Sequence, residues 1–280
     1  MGHRNKHDRT DIILRIHTRR ALSPVGGAIQ PHLRSIAGGR TIRHAAAMSL
    51  NFRVTKKVRL KDFNPAETAG LDKQETLART TELCRQIGEL QPRLHANARN
   101  GLVVVLQGMD TSGKDGAARR LLEFVNPAGV ETTNFKAPTS DELAHDFLWR
   151  VHRAVPSYGN IGLWNRSHYE DVLVVRVLGL RPKSVWKRRF DQINAFEEHL
   201  SENGYLVLKF FLHISKAEQA ERLQARLRDR TKHWKFELAD LKMRQHWEDF
   251  QEAYEDVLNR CSPKCAPWHI VPADRKWFRD

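Results

Sequence analysis

The stretch VVVLQGMDTSGKDGAARRLLEFV, Val103 to Val125, decides the fold. It reads as an apolar strand, a loop bounded by glycines and then an amphipathic helix. The loop runs from Gly108 to Gly116 and keeps the Gly-x4-Gly-Lys spacing of a phosphate-binding loop, with Gly108, Gly113 and Lys114 at the set positions. Glycines let the backbone wrap tightly, so that successive N–H groups face phosphate oxygens. The helix behind the loop points its positive dipole end at the same place, and Lys114 adds a mobile charge. The bare spacing also arises by chance in glycine-rich connectors. The legible strand before it and helix after it are the context a phosphate site requires.

Two positions carry acids where phosphate is expected. The residue after the lysine is usually Ser or Thr, whose hydroxyl holds Mg²⁺, and here it is Asp115. Asp110 lies inside the loop. A carboxylate among phosphates is electrostatically costly unless it binds a metal or takes a proton, so the loop reads as one with built-in carboxylate chemistry. That disfavours an ordinary GTPase or transport ATPase.

The chain has 280 residues, with 47 Lys and Arg against 33 Asp and Glu, for a formal charge of +14. A surplus of this size implies a polyanionic partner: nucleic acid, an acidic membrane surface or a phosphate polymer. Three cysteines, Cys84, Cys261 and Cys265, cannot all pair, which suits a reducing cytoplasm. Cys261 and Cys265 with His269 are weak metal candidates, since a fourth ligand at standard spacing is missing, and free thiols are the favoured reading. No apolar run approaches the ~20 residues of a membrane span.

Residues 1–47 are unlike the rest. They hold nine of the Lys and Arg against only Asp8 and Asp11, with scattered Gly, Pro, Ser and His and no sustained periodicity. They are expected to be a disordered basic leader, and because Met48 opens more ordinary sequence, a misplaced translation start. An organellar transit peptide is the minority alternative, weakened by the lack of an amphipathic helix. The remainder, 48–280, is expected to form one domain. Its polar opening carries Lys56, Lys57, Arg59 and Lys61, read equally as a solvated arm or as a strap across an anion channel. Leu77, Leu83, Ile87, Leu90 and Leu94 then fall at helical spacing over 73–98 and predict a helix packed by that face against the core.

Strands are expected at 130–135, 160–164, 204–214 and 268–271, alternating with helices over 141–155 (Ser140 as N-cap), 183–201, 215–230 and 240–258. Such alternation calls for a three-layer α/β fold of the phosphate-loop kinase kind, a parallel sheet flanked by helices. Ligands then sit at the carboxyl ends of the strands, where the loop, Asn165 to Asp171 and the Asp274 turn converge. The strand-end residue is Asn165, with Glu170 and Asp171 a turn later. These acids are read foremost as metal or phosphate ligands, a role that can hold together with complementing a helix dipole. Arg222 and Arg226 share a helix face at i,i+4, and residues 215–240 are read as a helical lid closing over phosphates, with a solvated charged helix as the alternative.

The pattern resembles the type-2 polyphosphate kinase family, which moves phosphoryl groups between inorganic polyphosphate and nucleotides. The matching stretches are LQGMDTSGKDG, VNPAGV, FKAPTSDELAHDFLWRVHR, NRSHYEDVLVVRV, FFLHISKAEQAERLQARL, KHWKFELADL and APWHIVPADRKW, spread over about Phe52 to Trp277. Asn165 with HYEDVL resembles the class III subgroup, which acts on both nucleoside mono- and diphosphates. The resemblance implies Mg²⁺, with Mn²⁺ as a substitute, bound by Asp110, Glu170 and Asp171. It implies that Lys114, Arg166 and a lid arginine, Arg222 or Arg226, neutralise the transferred group, and that Arg119, Arg120 and Lys136 line the polymer channel. Gly108, Gly113, Asp115, Gly116, Asn165 and Asp274 complete the expected phosphate and nucleotide site. Adenine nucleotides, with guanine nucleotides as further candidates, a homodimer or tetramer, and no nucleic-acid or membrane partner are implied. An ATP-dependent nucleotide or small-molecule kinase and a basic nucleic-acid-binding protein are the rival readings.

Overall fold

The computed structural model describes residues 52–235 and 238–280. The expectations placed on 1–47 and on the Met48 start lie outside the described residues. Five strands form one wholly parallel sheet: β1 (Gly101–Gln107), β2 (Val130–Asn134), β3 (Ile161–Asn165), β4 (Tyr205–His213) and β5 (Trp268–Pro272). Their order is β2-β3-β1-β4-β5. β1 is central and buried along nearly its whole length because Leu102 to Leu106 face helices on both sides of the sheet. The chain reverses its winding direction beside β1, so the loop after β1 opens at the crevice where such sheets bind ligands.

The helices are α1 (Lys73–Asn97), α2 (Lys114–Leu121), α3 (Ser140–Leu143), α4 (Trp149–Arg153), α5 (Val174–Val177), α6 (Lys183–Glu202), α7 (Lys216–Arg228), α8 (Leu238–Gln245), α9 (Trp247–Arg260) and α10 (Lys276–Arg279). Each expected strand is present. Two expected helices are broken. The 141–155 helix is two short ones, α3 and α4, capped not by Ser140 but by Thr139, whose hydroxyl and the Glu142 carboxylate form a reciprocal capping box. Asp146 separates them by accepting from the Leu148 amide. The 240–258 helix restarts at His246, whose Nδ1 meets Asp249 across the first turn of α9.

α1 forms where expected and packs Ile87 and Leu94 of the expected face against the core, but it is rotated away from the other three leucines. Thr80, Cys84 and Gln91 are its buried residues, while Leu77, Leu83 and Leu90 are exposed. Gln91 decides this rotation: its amide both donates to Asn126 O and accepts from Asn126 N, each at 2.9 Å. Gly88 permits the approach, since a Cβ there would lie 2.3 Å from the Phe124 carbonyl oxygen.

The basic side chains of the arm, Lys56, Lys57, Arg59 and Lys61, are exposed to solvent and do not line the cavity, while the apolar residues between them anchor the segment. Val54, Val58 and Leu60 are buried, and Asn259 holds the Val58 backbone through both its N–H and its C=O. Main-chain bonds Val54 N to Trp268 O and Ile270 N to Phe52 O, each 2.8 Å, cover the open edge of β5.

Candidate active site

The loop after β1 folds as its glycines require. Gly113 has φ +98°, and Thr111, unusually for a β-branched residue, has φ +66°. The hydroxyls of Thr111 and Ser112 are buried with no hydrogen-bond partner among the described residues, the kind of donor a phosphate oxygen satisfies. Lys114 is buried, and its Nζ donates to the carbonyls of Gly108 (2.8 Å) and Met109 (3.2 Å). Burial, aided by the nearby Arg166, pushes its pKa down to about 8. The loop therefore contains amide donors, orphaned hydroxyls and a poised cation: a phosphate cradle.

Asp110 and Arg166 face each other at the mouth of the loop, 2.5 Å apart. Arg166 adopts φ +62°, and its amide donates to Leu106 O across the β1–β3 crevice, which aims the side chain at the loop. Burial works against its charge, but Glu170 and Asp110 together raise its pKa above the ordinary value. Glu170 accepts from Gln107 Nε2 at 2.5 Å, and burial raises its carboxyl pKa. Asp115 accepts from Asn165 Nδ2 at 2.8 Å, tying α2 to the end of β3.

A cavity of about 580 Å³ opens beside Asp110, Arg166 and Glu170. Its lining combines apolar residues, Phe147, Val174, Leu178 and Leu180, with basic ones, Lys136, Arg150, Arg181 and Arg189, and the Arg189 guanidinium lies 4.6 Å from the centre of the Phe147 ring. A lining of both apolar and cationic side chains suits a molecule with a flat base and a phosphate tail. Of the polymer-channel candidates, Lys136 lines this cavity and Arg119 is exposed on α2. Arg120 does neither. It turns to α1, where Thr81 accepts from it at 2.6 Å, and it pairs with Glu123 just beyond α2.

Three further groups of candidate residues find protein partners in this structure. Asp171 is not grouped with Asp110 and Glu170. Its carboxylate lies between Arg189 (2.9 Å) and Arg150 (3.6 Å), and no cluster of three or more metal-binding side chains occurs among the described residues. Asp274 accepts from the backbone N–H of Ser215, the N-cap of α7, at 2.8 Å. Arg222 donates to four backbone carbonyls, those of Thr111, Ser112, Ala273 and Asp274, and so braces the loop from behind. Arg226 pairs with Asp240 of α8 at 3.2 Å. Cys261, Cys265 and His269 form no cluster of metal-binding side chains among the described residues, none of the three cysteines is in a disulfide, and burial pushes the Cys261 thiol up to about 12.

Two carboxylates, Asp110 and Glu170, remain beside the loop. That donor set fits a hard divalent cation, which is commonly held by one or two carboxylates together with substrate phosphates and water.

Sequence reasoning assigned no role to Arg150, Arg189, Gln219, Tyr254 or Arg279. Arg150 and Arg189 sit on separate helices and meet only through Asp171. Arg279, in the last turn of the chain, packs so closely that a Cβ on Gly113 would lie 1.9 Å from its Nη1. Long-range packing of this kind leaves no local signal.

Residues 70–280 match the model of the polyphosphate kinase 2 family. The chain belongs to that family. A curated family member from Meiothermus ruber, an AMP/ADP-polyphosphate phosphotransferase, is 47% identical over 223 residues, covering 79% of this chain and 84% of its own. An ADP-polyphosphate phosphotransferase from Rhodopseudomonas palustris is 43% identical, covering 68% and 70%. The crystal structure of a polyphosphate kinase 2 from Arthrobacter aurescens superposes with a TM-score of 0.77 at 41% identity, covering 81% and 82%. The expected fold, a phosphate-loop kinase sheet flanked by helices, is therefore shared with solved members of the polyphosphate kinase 2 family, and the chain is an enzyme of this kind.

Proposed function

We propose that this enzyme moves the terminal phosphoryl group of inorganic polyphosphate onto nucleoside mono- and diphosphates, AMP and ADP foremost, and runs in both directions. The observation that carries this reading is the Asp110–Arg166 pair, which stands where the phosphate cradle opens into a cavity of nucleotide size. An oxygen of the acceptor's terminal phosphate attacks the terminal phosphorus of the polymer. The bond to the bridging oxygen breaks, and the charge leaves on the shortened polymer. The acceptor oxygen is already anionic, so no general base is needed; positioning and charge neutralisation do the work.

The loop amides and Lys114 hold the transferred group, and Arg166 faces it from β3. Asp110 and Glu170 would hold Mg²⁺, or Mn²⁺ in its place. That ion neutralises charge on the bridging phosphates when bound. Arg150 and Arg189, with Lys136, give the acceptor's phosphates a cationic lining. The exposed Arg119 stands on the outer side of α2 as a contact for the polymer. A cytoplasmic setting agrees with three free thiols, and no helix among the described residues is long and apolar enough to cross a membrane. A homo-oligomer is part of the same reading.

A coupled assay with full-length protein, Mg²⁺, long-chain polyphosphate and either AMP or ADP tests it. ATP from both acceptors supports the reading. ATP from ADP alone, or ADP as the sole product from AMP, narrows the acceptor range. Turnover with ATP as donor and none with polyphosphate would overturn it.

A further inference from the structure

Gln219, near the start of α7, is only 1% exposed and stands between the phosphate loop and α8. Its Nε2 donates to the main-chain carbonyl of Asp110 at 3.1 Å, and its Oε1 accepts from Arg244 Nη1 at 2.7 Å. A guanidinium has no acceptor, so the Arg244 contact fixes which end of the amide faces which partner. The same Arg244 nitrogen donates to Lys216 O at 2.8 Å, binding α8 to the first turn of α7. Three residues beyond Gln219, Arg222 donates to Thr111 O at 2.8 Å and Ser112 O at 3.1 Å. Two side chains of α7 therefore hold three successive carbonyls of the loop, at 110, 111 and 112.

Those carbonyls flank the strained point. A left-handed threonine costs about 1–3 kcal/mol and persists only where its surroundings over-determine it. Among the side-chain contacts described, the carbonyl of the peptide between Asp110 and Thr111 is held by Gln219 alone, while Arg166 holds the Asp110 carboxylate from the other side of the residue.

We propose that Gln219 is a positioning residue that couples the lid to the phosphate loop, so that α8, through Arg244, sets the orientation of Asp110. The coupling rests on the phosphotransfer role given to Asp110 above. It makes turnover depend on a hydrogen-bonded path, Arg244 to Gln219 to Asp110 O, in which Gln219 lines the cavity with both ends of its amide already engaged.

The test uses full-length Gln219→Ala, Gln219→Glu, Arg244→Met and the Gln219→Ala/Arg244→Met double variant with polyphosphate and ADP. Gln219→Ala is expected to lower kcat about tenfold to a hundredfold, the scale on which small misplacements act. KM for both substrates should stay within about twofold, inside the error of independent sites. Gln219→Glu keeps the Arg244 contact and loses the donation to Asp110 O; it guards against an alanine variant that fails to fold and should show the same kcat loss. The double variant should be no slower than Gln219→Ala alone. A folded Gln219→Glu with unchanged kcat, or losses that multiply in the double variant, would overturn the coupling. A wild-type chain inert toward polyphosphate would sink the phosphotransfer reading itself. Amide exchange at Thr111 to Gly113 then decides the coupling: faster exchange in Arg244→Met upholds it, and unchanged exchange refutes it.

Discussion

Asp110 and Arg166 lie 56 positions apart in the chain and meet at 2.5 Å, bridging the loop after β1 to the end of β3. The bond crosses the crevice in which the sheet reverses its winding, and both residues line the cavity. If the pair stands where the phosphoryl group passes, each member acts on charge that develops only during transfer. Asp110→Asn, Arg166→Met and Lys114→Ala should each lower kcat by about 10²–10³ or more while leaving the melting temperature near that of the wild type. Steady-state kinetics with polyphosphate and ADP check this. Full turnover in any one of them removes that residue from the mechanism.

Asp171 should behave differently from Asp110. Burial raises its carboxyl pKa while Arg189 and Arg150 oppose that rise, and its side chain holds those two arginines on the cavity wall. Asp171→Asn is expected to raise KM for the acceptor by about tenfold, the scale of a lost charge-assisted hydrogen bond. The Mg²⁺ concentration giving half-maximal rate should be unchanged. A shift in that metal dependence, with acceptor KM unaltered, would return Asp171 to the metal site.

Beneath the site, Lys209 and Glu197 form a fully buried ion pair at 2.5 Å, joined by the hydroxyl of Tyr169 and by His168. Replacing one partner strands the other's charge, so Glu197→Gln or Lys209→Met should cost about 3–5 kcal/mol, and the double variant less than the sum. Burial alone would raise the Glu197 pKa, yet Lys209 and His168 outweigh it and hold it below the ordinary 4.5. The unfolded carboxyl therefore binds its proton first. The pair's contribution is complete above about pH 4.5 and disappears as pH falls through the depressed folded value. Urea unfolding from pH 7 to pH 3 should show this acid loss in the wild type and a flatter profile in the double variant. Parallel profiles would mean the pair is not the origin.

Gly113 meets two constraints, and a pair of variants separates them. Its φ of +98° penalises any side chain, and the guanidinium of Arg279 occupies the space a Cβ would need. Gly113→Ala should destabilise the protein by about 1–3 kcal/mol from backbone strain, with more from the clash. Adding Arg279→Ala should recover the steric part only. Complete recovery in thermal melts would show that the backbone angle imposes no cost.

Much of the fold was legible because β1, β4 and β5 are apolar runs bounded by Gly, Asn or Pro, and buried parallel strands need little else to announce themselves. The rotation of α1 was not legible. Five apolar residues at helical spacing mark one face, but the Gln91 bonds to Asn126 determine how the helix is rotated on the core. The α3–α4 break was hidden for a similar reason: local side-chain caps at Thr139 and Asp146 outweigh a continuous helical pattern.

The sequence by itself determined the phosphate loop, the alternation that makes a parallel sheet, and the family. Those are local patterns, in which spacing, glycine and hydrophobic period act through neighbours in the chain. The tertiary structure alone decided which charges meet. Asp171 went to Arg150 and Arg189, Arg222 to four carbonyls, and Asp110 to Arg166. An ionised side chain near an interior takes whichever partner the packing brings within about 3–4 Å, and that partner comes from a distant part of the chain.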